Sequence, residues 1–263
     1  MEVIICPTAN KASALVAELI ATTVRSNPQA VLGLATGRTP EMVYQILSKK
    51  EGLDFSQVTT FNLDEYIGIP ASHSGSYRSS MERALFKQIN IDAKNTHLPD
   101  GMAHDLEAEC LRYEAAIAKS GGIDLQLLGI GRNGHLAFNE PLSSLSSRTR
   151  TKSLSPQTRE QNAQFFGGAE LVPSRAITIG VATILDSKWC IMLATGAEKA
   201  AVLQQAIEGP LCSLVTASAL QMHRRCTVVV DQEAAFMLKH ADYYRWVFAN
   251  EPEWSPYRDI ISA

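Results

Sequence analysis

No run of about 18 apolar residues occurs anywhere in this chain, so no membrane-spanning helix is expected. Residues 1–30 carry no basic start followed by a continuous apolar segment, which leaves secretion unsupported. Cys6, Cys110, Cys190, Cys212 and Cys226 are odd in number and lack the paired spacing of a zinc site or a disulfide framework. They read as reduced thiols of a cytoplasmic protein. A net charge of −3 and a pI near 6.1 supply no global basic field, so nucleic acid is not expected as a partner. No linker, internal repeat or low-complexity tract divides the 263 residues. With 46% hydrophobic and 19% charged residues, one α/β domain spanning 1–263 and burying a large core is the expectation.

Short apolar runs alternate with helical patterns from the start of the chain. Val3–Cys6, Ala30–Ala35, Val58–Leu63, Ile123–Leu128, Ala176–Ile179, Trp189–Ala194 and Cys226–Val230 have strand length. Helices are predicted from Asn10, from about Pro40, over Ser76–Gln88, over 105–119, from Val181 and over Glu198–Ile207. Strands separated by helices imply a mostly parallel sheet with helices on both faces. The Ser-, Thr-, Arg- and Gln-rich stretch 142–170 reads as a lid-like region with at least one short helix.

Three strand exits carry chemistry. After Ile123–Leu128, the segment Gly129-Ile130-Gly131-Arg132-Asn133-Gly134-His135 leads to Glu140, placing a histidine and a carboxylate where an α/β sheet forms its ligand crevice. Asp64 and Glu65 end the Val58–Leu63 run, and adjacent carboxylates raise each other's proton affinity toward the range of a general base. Thr36-Gly37-Arg38-Thr39 offers backbone N–H groups at a helix start, hydroxyls and a guanidinium, together a seat for a phosphate. It is not a Walker loop, since no Gly-Lys-Ser/Thr follows. The spacing Gly129-x-Gly131-x-x-Gly134 fits a dinucleotide fingerprint, but His135 and Asn139-Glu140-Pro141 interrupt the helix that would cradle a pyrophosphate.

Phe61-Asn62-Leu63-Asp64-Glu65-Tyr66 and Gly134-His135-Leu136-Ala137-Phe138-Asn139-Glu140-Pro141 together resemble the glucosamine-6-phosphate deaminase (isomerase) family. Leu34–Pro40, Ser76-Tyr77, Ser147–Lys152 and Ala176–Gly180 follow the same family in its order, from about residue 30 to about residue 245. The resemblance implies a Rossmann-like α/β fold and a metal-free, cofactor-free aldose–ketose isomerase that releases ammonia from an amino-sugar phosphate. It makes Asp64 the base moving a proton between C2 and C1, and His135 the ring-opening group oriented by Glu140. Asn133 stands where some members carry Asp. Thr36, Gly37, Arg38, Thr39 and Lys199 become phosphate ligands.

Two departures accompany the resemblance: Gln164 replaces an arginine that contacts phosphate in other members, and Arg38 occupies a position often held by glycine. The positive charge is therefore expected to have moved across the phosphate. Ser143, Arg150, Lys152 and Ser153 match the segment that binds an activator, N-acetylglucosamine 6-phosphate, between subunits of hexameric members, which leaves homo-oligomerisation open. Three other readings stand beside glucosamine 6-phosphate: a galactosamine 6-phosphate deaminase, a 6-phosphogluconolactonase-like hydrolase, against which Asp64 argues, and a sugar-phosphate-binding regulator with weak catalysis.

Overall fold

The computed structural model describes residues 1–262, and its centre is a parallel sheet. The strands in chain order are β1 (Glu2–Cys6), β2 (Val31–Leu34), β3 (Thr59–Asn62), β4 (Asp64–Tyr66), β5 (Thr96–His97), β6 (Leu125–Leu128), β7 (Arg150–Ser153), β8 (Arg175–Thr178), β9 (Cys190–Ala194) and β10 (Cys226–Asp231). Seven of them pair in the order β1-β10-β9-β6-β2-β3-β5, every neighbour parallel. The α-helices are α1 (Ala9–Ser26), α2 (Arg38–Leu47), α3 (Tyr77–Ala84), α4 (Leu106–Lys119), α5 (Pro156–Asn162), α6 (Val181–Leu185), α7 (Ala200–Glu208), α8 (Ala241–Asn250) and α9 (Arg258–Ser262).

Both faces of the sheet are covered, which is why its strands read as apolar runs instead of alternating patterns. Successive side chains still part to opposite faces: Ile191 and Leu193 join the core formed with α1 and α2, while Cys190, Met192 and Ala194 join that formed with α4 and α7. All five cysteines are unpaired, and only Cys212 is not buried.

From β2 the chain runs one way, to β3 and β5; from β6 it runs the other way, to β9 and β10. The loops leaving β2 and β6 therefore diverge at their carboxyl ends and open a crevice between them. Gly33 and Gln126 are partners across this β2–β6 pair. Gln126 is fully buried, and its amide lies where a Gly33 side chain would go.

Three features differ from the sequence reading. Asp64 opens a strand of its own, β4, in a second sheet of order β4-β8-β7, antiparallel throughout, so Ala176–Ile179 contributes to this small sheet and not to the main one. The stretch 142–170 contains β7 as well as α5 and two short 3₁₀ turns, because Arg150–Ser153 finds an antiparallel partner in Arg175–Thr178. The helix expected over Ser76–Gln88 stops at Ala84, where Leu85 leaves helical geometry with φ −139° and ψ −58°.

Gly33→Ala should destabilise the fold and disturb the site together, since the added Cβ would lie 2.0 Å from Gln126 Oε1. Overpacking of this kind costs about 1–3 kcal/mol. Urea unfolding with the wild-type midpoint would contradict this packing.

Candidate active site

The crevice at the β2–β6 divergence is a cavity of about 330 Å³. Its walls come from strand exits: Thr36–Thr39 after β2, Asp64 after β3, Gly129–Arg132 and His135 after β6, and Leu193, Ala194, Glu198 and Lys199 at and beyond the end of β9. Gln161, Asn162, Gln164 and Phe165, from α5 and the turn after it, close one side. The structure thus brings Asp64, His135, the 36–39 loop and Lys199 onto one cavity. Asn133 and Glu140 stand behind His135 and do not line it.

Asp64 and Glu65 are neighbours with opposite surroundings. Glu65 turns to the start of α3, where its carboxylate accepts the backbone N–H groups of Tyr66, Tyr77 and Arg78 at 2.9–3.0 Å. Ser76 caps the same helix through Ser79 N at 3.0 Å. Asp64 is 6% exposed, faces the cavity, and receives no hydrogen bond among the described residues. Burial without donors raises its pKa well above the ordinary aspartate value, and the Glu65 charge adds to this. The sequence reading credited the neighbouring carboxylate first, whereas desolvation is the larger cause. The Tyr66 and Tyr77 hydroxyls lie 3.3 Å apart beside it, and Tyr77 lines the cavity.

Glu140 is a contrasting carboxylate. Oε2 accepts Asn133 Nδ2 at 3.0 Å and lies 3.7 Å from His135 Nδ1, an ion-pair distance too long for a hydrogen bond. Oε1 accepts Ser155 N at 3.2 Å and the Thr158 hydroxyl. Burial alone would raise the Glu140 pKa, but the contact with His135 and the Thr158 and Ser155 donors outweigh it and hold the carboxyl far below its ordinary range. An asparagine at 133 suits this arrangement, since it donates to Glu140 where an ionised aspartate would repel it. Its Oδ1 also accepts His135 N at 3.3 Å. Gly131 lets the imidazole in: a Cβ there would stand 2.4 Å from His135 Nε2.

The cavity is also lined by cations, Arg38, Arg132 and Lys199. α2 begins at Arg38 with no side-chain cap on Gly37, which leaves its first N–H groups directed at the opening. Lys199 Nζ donates to Ile130 O at 2.7 Å, and burial lowers its proton affinity, which Glu198 partly restores and Arg132 lowers again. The Arg38 guanidinium meets the Gln164 side chain directly across the rim. The two positions that the resemblance singles out as departures are therefore in contact. Sequence reasoning passed over Arg132, Tyr77, Glu198, Gln161 and Asn162 as lining residues. Arg132 was accessible to it, since it sits inside the glycine–histidine segment itself.

Ser143, Arg150, Lys152 and Ser153 lie outside this cavity. Arg150 and Lys152 share one face of β7 and Ser153 takes the other. The Ser143 hydroxyl and Arg150 Nη2 are buried with no hydrogen-bond partner among the described residues.

A family profile described as glucosamine-6-phosphate isomerases/6-phosphogluconolactonase matches residues 7–229. The chain belongs to that family. Within it, a glucosamine-6-phosphate deaminase of Arthrobacter sp. (strain FB24) is 49% identical over 257 residues, covering 97% of this chain and 99% of the relative. The Streptomyces coelicolor glucosamine-6-phosphate deaminase is 48% identical over 258 residues, with 97% and 99% covered. A solved monomeric glucosamine-6-phosphate deaminase superposes with a TM-score of 0.88 at 43% identity, over 90% of this chain and all of that one. The 6-phosphogluconolactonase from Trypanosoma cruzi has a TM-score of 0.74 at 23% identity over 90% and 97% of the two chains, which is a likeness of fold alone.

The sign of the Asp64 shift makes a stability prediction. A carboxyl with a raised folded pKa contributes stability that is complete below its unfolded value, 3.8, and is lost as pH rises through the folded value. Asp64→Asn should therefore raise the melting temperature near pH 8 and leave it almost unchanged near pH 4. A midpoint no higher than wild type near pH 8 would mean that the carboxylate is well solvated in the fold.

Proposed function

We propose that this chain converts glucosamine 6-phosphate and water to fructose 6-phosphate and ammonium. The observation that carries the reading is a single cavity lined by an undersatisfied buried carboxylate, an imidazole, and a helix start with Arg38 and Lys199. The near half-identity to deaminases over almost the whole chain supports it.

The phosphate sits on the Thr36–Thr39 turn, where backbone N–H groups, the Thr36 and Thr39 hydroxyls, Arg38 and Lys199 meet its oxygens. This end is fixed, so the sugar extends toward His135 and Asp64. His135, with Nδ1 toward Glu140, takes the anomeric hydroxyl proton and passes a proton to the ring oxygen, breaking the C1–O5 bond to give the open-chain aldehyde. Asp64 then removes the C2 proton, forming an enolamine across C1 and C2, and returns a proton to C1. The resulting C2 imine adds water, and the C2–N bond breaks to release ammonia and leave the ketose. A carboxylate desolvated in the free enzyme is a stronger base than a solvated one, which suits it to a carbon acid.

All of these side chains come from one chain, consistent with a monomeric deaminase among the relatives. Ser143, Arg150, Lys152 and Ser153 take no part in the chemistry. Ammonia release assayed with glucosamine 6-phosphate and galactosamine 6-phosphate, alongside hydrolysis of 6-phosphogluconolactone, tests the reading. Turnover of the lactone alone would overturn it.

The Arg38–Gln164 contact sharpens the phosphate assignment. Arg38→Gly should raise KM for glucosamine 6-phosphate by about 10- to 150-fold, the range of a charge-assisted hydrogen bond of about 1.5–3 kcal/mol. The double variant Arg38→Gly with Gln164→Arg should recover much of that loss, because a guanidinium returns to the same phosphate from the other side of the contact. An unchanged KM in Arg38→Gly would remove Arg38 from the phosphate site.

A further inference from the structure

Glu140 divides its two oxygens between two parts of the molecule. Oε2 faces the loop that carries His135, through Asn133 Nδ2 at 3.0 Å and His135 Nδ1 at 3.7 Å. Oε1 faces the start of α5, through Ser155 N at 3.2 Å and the Thr158 hydroxyl. Ser155 is itself the N-cap of α5: its Oγ accepts Thr158 N at 3.2 Å and donates to Thr158 Oγ1 at 3.0 Å. The next turn of the same helix supplies Gln161 and Asn162 to the cavity, and the segment after it supplies Gln164 and Phe165. Phe166 anchors that segment by packing against Tyr66, with ring centroids 5.1 Å apart, and against His73 at 5.7 Å.

We propose that Thr158 is a positioning residue that couples the seating of α5 over the cavity to the ring-opening imidazole, acting through Glu140. The proposal rests on the deaminase reading for its kinetic consequence and on geometry alone for its structural one. Thr158 is 1% exposed and its hydroxyl hydrogen is committed to a carboxylate, so it is no solvated surface residue. When α5 is seated, two donors draw charge toward Oε1 and fix the plane of the carboxylate, which sets how strongly Oε2 holds the imidazole. When α5 lifts, both donors leave with it. Glu140 then presents more charge to His135, favours the imidazolium, and removes the neutral base that ring opening needs.

Other charges face this pair and stay in place whatever α5 does: Arg132 lies on the loop that carries His135, and Lys199 is tied to that loop at Ile130 O. Asp64 faces the cavity from β4. On α5 itself, Arg159 is turned away, to the carbonyls of Val172 at 3.2 Å and Ala169 at 2.9 Å. The Thr158 hydroxyl is therefore the contact through which α5 reaches Glu140 by side chain.

Thr158→Val keeps the shape and removes the donor, and Thr158→Ser keeps the donor. In Thr158→Val the acidic limb of the kcat/KM profile should move up by about one pH unit, giving about a tenfold loss on that limb and little loss on the plateau. Thr158→Ser should follow wild type within about twofold. Thr158→Ala provides the same test if valine impairs folding. An NMR titration of the His135 imidazole needs no substrate: its pKa should rise in Thr158→Val and not in Thr158→Ser. An unmoved acidic limb and imidazole titration in a folded variant lacking the hydroxyl, or equal impairment of the serine variant, would overturn the proposal. Failure of wild-type protein to release ammonia would instead count against the deaminase reading and leave the titration test standing.

Discussion

A buried carboxylate without hydrogen-bond donors is costly, and this chain keeps one at the centre of its site. Asp64 and Glu140 are both less than 10% exposed, yet their surroundings push their protonation in opposite directions. Glu140 is surrounded by donors and stays ionised, fit to hold an imidazole. Asp64 is left with none, and its proton affinity is raised. The supporting structure reads as what keeps these environments apart. Glu65 diverts the N–H groups at the start of α3 away from Asp64, and β4 fixes Asp64 at the cavity wall by pairing with Thr178.

Parallel topology brings the parts together. Because the chain leaves β2 and β6 in opposite directions, the 36–39 turn and the histidine loop diverge from adjacent strands without competing for space. The close packing of Gly33 on Gln126 holds those strands in register beneath the cavity. The small antiparallel sheet then carries the segment that roofs it. Tyr66, Phe138, Leu154, Val172 and Ala176 form a separate apolar cluster under that sheet, so the roof has its own core.

What was legible in the sequence was what local pattern encodes. Strands buried on both faces read as apolar runs, and the turns after β2 and β6 announced themselves through glycine, hydroxyl and histidine. Asp64, His135 and the 36–39 turn were found this way, Lys199 only through the family resemblance, and all of them line one cavity. The second sheet was not legible, because Arg150–Ser153 is a polar strand whose identity depends on a partner more than twenty residues away. Nor was the contact of Thr158 with Glu140, which joins residues 18 apart in the chain. Arg38 and Gln164 lay between these cases: the family resemblance suggested a displaced charge, and only the fold put the two side chains in contact.

The central claim is that Asp64 moves the proton between C2 and C1, and solvent isotope incorporation addresses it directly. Fructose 6-phosphate and ammonium incubated with the protein in deuterium oxide should acquire deuterium at C1, read by mass spectrometry and NMR. The account predicts incorporation with wild-type protein and none with Asp64→Asn that still binds the sugar phosphate. Deuterium entering C1 at the wild-type rate in Asp64→Asn would contradict it and assign the base to another group in the cavity.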